Sequence, residues 1–444
     1  RELFQHLARH ASFQELVRRV SASGALSLAG LAPAAKPIYL ALLWQATQRP
    51  VLVIADSGKR ADALFEPLSM FFDLLDPGRD AGCPLLVPAL DALPFQKLSP
   101  HSEISAQRAV ALWRLASGRA PVTVTPATGA LLKLEQPSFY RQLALHLRVR
   151  DEIPLEDLTA HLDSIGYQRR EPVEMVGEYS VRGGILDIYP AEAPGPARIE
   201  MFGDSIESMR RFDVETQRSV LKLENTLVLP LLEHPRSPAL IARLAELAGR
   251  GEAPDPGEPF PGWEHLLPLV RPRETGLVTL LKDPVIVWDE PEQVAAAARL
   301  HWERLEEHRS EMLCAPEQTC FRLEEFQILC QGMVNLELRE LAFGETSPDS
   351  FHIPSRPAPA FHGNMGVAVA QTRHLVEQGG RVVFFAASMG ELERLADVLA
   401  EYSVPFQLGL DPSEPVPRYL TERTYLAGAV ASTFLIKGAV RRGV

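Results

Sequence analysis

Residues 51–56, VLVIAD, hold an unbroken apolar run that ends on an acidic residue, the pattern of a strand buried on both faces of a parallel sheet. Short apolar runs alternate around it with stretches of helical spacing. Strands are expected at 26–30 and 122–125, and helices at 38–47, 61–72 and 106–116. Such alternation predicts a doubly wound α/β sheet over residues 1–131, with helices on both faces. The period then changes. Between 178 and 218 the chain switches to strand-like alternation, with strands expected at 185–189, 197–202 and 205–210. Gly183-Gly184 turns the chain between Val181-Arg182 and the first of them and Gly203-Asp204 separates the last two, since glycine turns the chain at positive φ with little steric cost. Residues 132–223 therefore read as an α+β module inserted into the first domain.

From 224 to 349 the pattern returns to helices around one buried strand at 285–288, with a Gly/Pro-rich surface loop at 251–262. Prolines 354, 357 and 359 mark a linker. A strand at 381–386 and a helix at 390–402 then give a small α/β domain over 350–444.

Alternation also sorts side chains by face. In 197–202, Ile199 and Met201 share one side while Arg198, Glu200 and Phe202 share the other. The first pair is the natural core side, which leaves an aromatic beside an arginine on the polar side. That pairing is enriched at interface hot spots. Burial of Phe202 under a neighbouring domain is the competing reading. Residues 166–218 contain Arg169, Arg170, Arg182, Arg198, Arg210, Arg211 and Arg218 but no lysine, and acidic residues outnumber them. A planar guanidinium suits bidentate pairing with carboxylates of a protein partner, whereas non-specific nucleic-acid surfaces use lysine as well. A solvated face of internal ion pairs is the alternative for most of the seven.

Composition narrows the field. At 444 residues the chain has length for about three domains, and 46% hydrophobic with 23% charged residues is ordinary for a globular protein. A net charge of -12 argues against a whole-surface nucleic-acid binder and leaves room for a local basic patch. No apolar run approaches a membrane span and no signal-peptide pattern opens the chain, so a cytoplasmic location is expected. Cys83, Cys314, Cys320 and Cys330 lack the paired spacing of a zinc site and read as reduced, mostly buried thiols. The histidines are scattered and read as surface or helix residues, and no metal site or catalytic residue is expected. A first residue that is not methionine suggests a piece of something longer.

Gly30 to Pro37, GLAPAAKP, matches a phosphate loop only in part. The loop needs a second glycine so that backbone N–H groups can wrap phosphates, and a hydroxyl to hold magnesium. Ala35 and Pro37 stand there, and Lys36 alone survives. The strand at 285–288 followed by Asp289 and Glu290 has the form of the other half of an ATPase site, with Asp289 on the metal and Glu290 orienting water. Together these fragments read as a degenerate RecA-like nucleotide fold.

The runs GEYSVRGGILDIYP and ARIEMFGDSIESMRRFDVETQRS closely resemble the UvrA-binding domain shared by the excision-repair protein UvrB and the transcription-repair coupling factors, Mfd. The resemblance implies UvrA contact by Arg182, Arg198 and Phe202, with Arg169 matching a further basic position seen in UvrB. The incomplete phosphate loop and residues 93–118, which lack the tyrosine-rich DNA-clamping segment of UvrB, are closer to the coupling factors. The resemblance covers residues 1–345, and 350–444 looks like the small domain that follows in that family.

What this implies is an N-terminal module that recruits UvrA. The full-length protein would translocate on double-stranded DNA with ATP and release stalled RNA polymerase, and its C-terminal domain would mask the UvrA-binding face at rest. ATP and magnesium are expected only in translocase domains outside this chain, and no cofactor within it. The rival enzyme reading is a divergent UvrB-like ATPase using Lys36, Asp289 and Glu290. A structural DNA-binding module is a third reading, which the acidic balance disfavours.

Overall fold

The computed structural model describes residues 2–20, 24–75, 82–250, 258–341, 348–359, 361, 364–409 and 432–438. Its largest sheet grows from the apolar runs. Val51–Ala55, Val122–Pro126 and Val285–Asp289 are buried at every position and lie side by side with parallel pairing. The seven strands run in the order Ser350–His352, Ala25–Ala29, Val334–Arg339, Val285–Asp289, Val51–Ala55, Val122–Pro126, Leu85–Leu86. Successive side chains enter two different cores. Val51, Val53 and Ala55 pack with helices Ala11–Val20, Lys36–Thr47 and Gly58–Leu75. Leu52 and Ile54 pack instead with Ser102–Ala116, Pro291–Glu307 and Leu323–Leu329. Both faces are covered, as continuous apolar strands require.

Three strands here depart from the sequence reading, the first being the two-residue edge strand Leu85–Leu86, which it lacks. Val334–Arg339 is a second strand in the stretch expected to carry one. Its burial alternates, and the half-buried positions are polar: Asn335 Oδ1 accepts from Trp288 Nε1 at 3.0 Å, and Arg339 pairs with Glu337 and Glu292. Ser350–His352 joins the edge of the same sheet through Ala25–Ala29, although the pattern assigns residue 350 to the small domain.

The inserted module is closed at its base by Leu145–Arg148 pairing antiparallel with Asn225–Val228. Beyond this pair lies a six-stranded sheet in the order Ser219–Leu223, Ser205–Phe212, Ala197–Phe202, Ile185–Ile188, Glu178–Arg182, Gln168–Arg169. All its pairings are antiparallel except that of Gln168–Arg169. One face buries Tyr179, Leu186, Ile188, Ile199, Ile206 and Met209 against helix Leu155–Ser164.

The small α/β unit has a parallel sheet of Val382–Ala386, Thr433–Lys437 and Gln407–Gly409, with helices Met365–Glu377 and Met389–Glu401. Phe385 meets Phe4 and Phe71 of the first domain, with ring centroids 6.4 and 5.7 Å away. The linker prolines lie in chain without regular structure, and residues 251–257 of the expected surface loop lie outside the described residues.

Candidate functional site

The inserted sheet places the predicted residues through its turns. Gly183 and Gly203 take φ of 59° and 60°, and Met201 N donates to Gly184 O at 2.7 Å. A side chain at Gly184 would come within 2.8 Å of Met201 O, so that approach needs glycine. Up-and-down connection brings both turns to the same end of the sheet, which gathers Arg182, Ile185 and Phe202 there on the face opposite the core. Phe202 is 79% exposed, and no described residue of this chain covers it.

Arg198 lies deeper. It grips Asp187 with both arms of its fork, Nε to Oδ1 at 2.7 Å and Nη2 to Oδ2 at 2.8 Å. Its Nη1 donates to Gln217 O at 3.2 Å, and its guanidinium carbon sits 4.8 Å from the Phe212 ring centroid. The bond to Asp187, above all, raises the Arg198 pKa. Arg182 Nη2 reaches the same carboxylate at 3.2 Å, and its Nε is 3.6 Å from Glu171. Arg169 is exposed on the edge strand opposite Tyr179, three residues back along the neighbouring strand from Arg182. The structure thus joins Arg182 and Arg198 through Asp187, sets Phe202 at their turn end, and leaves Arg169 apart.

The second constellation is also assembled, though differently from a nucleotide site. Lys36 is fully buried, with Nζ donating to Asp289 Oδ1 at 2.5 Å and to Glu290 Oε1 at 2.6 Å. Arg60 Nε takes the other Asp289 oxygen at 2.7 Å, and Glu340 N donates to Glu290 Oε1 at 2.7 Å. Two cations and two carboxylates therefore satisfy one another. The chain after Ser350–His352 crosses the loop that follows Ala25–Ala29. Ser355 Oγ accepts from Ala32 N at 2.6 Å and donates to Gly30 O at 3.0 Å. Gly30, at φ 92°, has Ile353 O only 2.6 Å from where a Cβ would stand. Ala35 is buried at the start of helix Lys36–Thr47, and Pro37 sits in its first turn, where a missing N–H costs nothing.

Asp187, Gln217, Arg60 and Ser355 are absent from the sequence reading. Asp187 carries a readable signal: it is the one charge in ILDI and shares the face of Arg198 by parity. Ser355 and Arg60 have none, because only the tertiary fold brings them in. The histidines need correction too. His234, His265 and Arg273 line a cavity of about 90 Å³ with His301, Arg108 and Cys320. Burial drives His265 and His301 down to about 4, and drives His234 well below its ordinary value with help from Arg273. All four cysteines are free thiols, three of them buried.

Comparison with known proteins agrees with the geometry. Residues 145–234 match the UvrB interaction domain, beginning at the strand Leu145–Arg148 that closes the module. The transcription-repair-coupling factor of Myxococcus xanthus is 29% identical, over 90% of this chain and 37% of its own length. That of Mycobacterium bovis is 30% identical over 96% of the chain and 37% of the relative, and that of Bacillus subtilis 25% over 85% and 34%. The chain spans little more than a third of these relatives. It carries a UvrB interaction domain within a longer stretch homologous to transcription-repair-coupling factors, consistent with an N-terminal region of that family.

Proposed function

We propose that this chain is the UvrA-recruiting module of a transcription-repair-coupling factor and that Arg182, Arg198 and Phe202 form its docking face. One observation carries the reading: a 79% exposed phenylalanine stands at the turn end of a sheet beside a half-exposed arginine, within a domain that matches the UvrB interaction domain. A water-exposed aromatic next to a guanidinium has the composition of an interface anchor. Arg169, on the edge strand in register with the core-facing Tyr179, stands apart from this face and would contribute only through a contact at the sheet edge.

The complete protein would recognise RNA polymerase stalled at a lesion, release it with ATP while moving on double-stranded DNA, and deliver UvrA to start excision repair. Its C-terminal domain would cover the docking face until that happens, which explains how a bare Phe202 is tolerated. The setting is the cytoplasm. Among the described residues no helix is long and apolar enough to cross a membrane.

This chain would contribute no ATP hydrolysis. Lys36 is held by Asp289 and Glu290, and Ala32 N, which a phosphate loop would aim at an anion, donates to Ser355. ATP and magnesium would act only in the translocase domains. Calorimetric titration with UvrA of the same organism tests the recruitment role. The wild-type chain binds, and a folded variant carrying Arg182→Ala, Arg198→Ala and Phe202→Ala loses detectable binding. Equal binding by the two would reject the assignment.

A further inference from the structure

Asp187 lies on the polar face of the inserted sheet, yet it is only 1% exposed. A carboxylate this deeply buried is costly unless its oxygens are paired and hydrogen-bonded. Both are: Oδ1 by Arg198 Nε, Oδ2 by Arg198 Nη2 and Arg182 Nη2. Arg198 therefore has no free fork to offer a partner. Its plane is fixed further by Gln217 O and the Phe212 ring, and its side chain is 19% exposed. Gln217 ties this arrangement to the loop before Glu178–Arg182, its Nε2 donating to Val173 O at 3.2 Å. Arg182 differs: it makes one contact with Asp187, lies near Glu171, and leaves 49% of its side chain in water.

We propose that Asp187 is the positioning residue of the UvrA-docking face, locking Arg198 beneath the surface as a strut and orienting Arg182 beside Phe202. The contact edge is then Arg182, Phe202 and Ile185, the last 36% exposed on the same face. This rests on the reading of the sheet as the UvrA-docking face. Its physical basis is preorganisation: an arginine held in its bound rotamer loses less entropy when it meets an acceptor group. Arg198 acts through geometry, so its charge alone does not substitute for its fork.

The experiment measures association and dissociation rates of UvrA with the whole 444-residue chain as wild type, Asp187→Asn, Arg198→Lys, and Asp187→Asn combined with Arg182→Ala. Circular dichroism and thermal melts accompany each variant. Asp187→Asn is nearly isosteric, and Arg198→Lys probes the same contact from the other partner, so either one that folds decides the matter. The expected result is affinity at least tenfold weaker for both, mostly through faster dissociation. With Arg182 already truncated, the added effect of Asp187→Asn shrinks below threefold. Wild-type binding that Asp187→Asn and Arg198→Lys leave within twofold overturns the inference alone, as do fully additive effects with Arg182→Ala. No binding by wild type overturns the docking assignment and the inference with it.

Discussion

Phe202 is the residue at which the proposed binding role can be tested apart from stability. It contributes little to the fold at 79% exposure, so Phe202→Ala leaves the urea midpoint essentially unchanged, within about 0.5 kcal/mol. If it is an anchor, the same change costs UvrA binding about 2 kcal/mol. Paired urea melts and titrations on one preparation check both halves. The buried histidines predict a pH response. His265 and His301 have folded pKa values of about 4, below the ordinary 6.5. A depressed histidine pKa means that the unfolded chain takes up the proton first. Their stabilising effect is therefore complete above about pH 6.5 and is lost as pH falls toward 4. Urea midpoints should drop between pH 7 and pH 5, and His265→Gln should flatten the slope. The parity of Arg198 and Phe202 was readable because a strand alternates strictly. Histidine burial was not, since nothing local to His234 or His265 indicates which segments will fold over them.

Among the elements, the crossing from Val285–Asp289 to helix Lys36–Thr47 is held by the Lys36 ion cluster. Lys36→Met removes one cation and leaves Glu290 with no cation within ion-pair distance among the described residues. Breaking a buried pair from one side costs about 3–5 kcal/mol, so this variant should melt far earlier than wild type while retaining any UvrA binding when folded. An ATPase lysine would show the opposite profile, with activity lost and stability kept. The strands at 51–55, 122–126 and 197–202 were legible from apolar runs and alternation. Val334–Arg339 alternates just as strictly and is absent from the sequence reading; what the pattern could not show is that its polar positions Asn335, Glu337 and Arg339 meet Trp288 and Glu292 within a sheet covered on both faces. Thr433–Lys437 is also absent from it although Gly438 bounds the strand, because only Phe434, Leu435 and Ile436 of its five residues are apolar.

For the molecule as a whole, the proposed masking of the docking face is the reading most open to test. The isolated chain should bind UvrA at least about tenfold more tightly than the full-length protein does, a difference of about 1.4 kcal/mol. Calorimetry on both, at one salt concentration, checks it; equal affinities would remove masking from the scheme. Adding ATP and magnesium to the chain should leave its melting temperature unchanged, because a ligand stabilises only what it binds. The match of the inserted module to a UvrB interaction domain was legible in its sequence motif, while the proposed division of its face into strut and contact edge waited on the Asp187 geometry.

The path of residues 350–355 has a mechanical side. Ser350–His352 is hydrogen-bonded along Ala25–Ala29, and Ser355 is bonded to both Gly30 and Ala32. A pull on the small domain directed along this edge strand would load its bonds to the sheet together instead of peeling them one by one, so the strand is a stronger tether in shear than across the sheet.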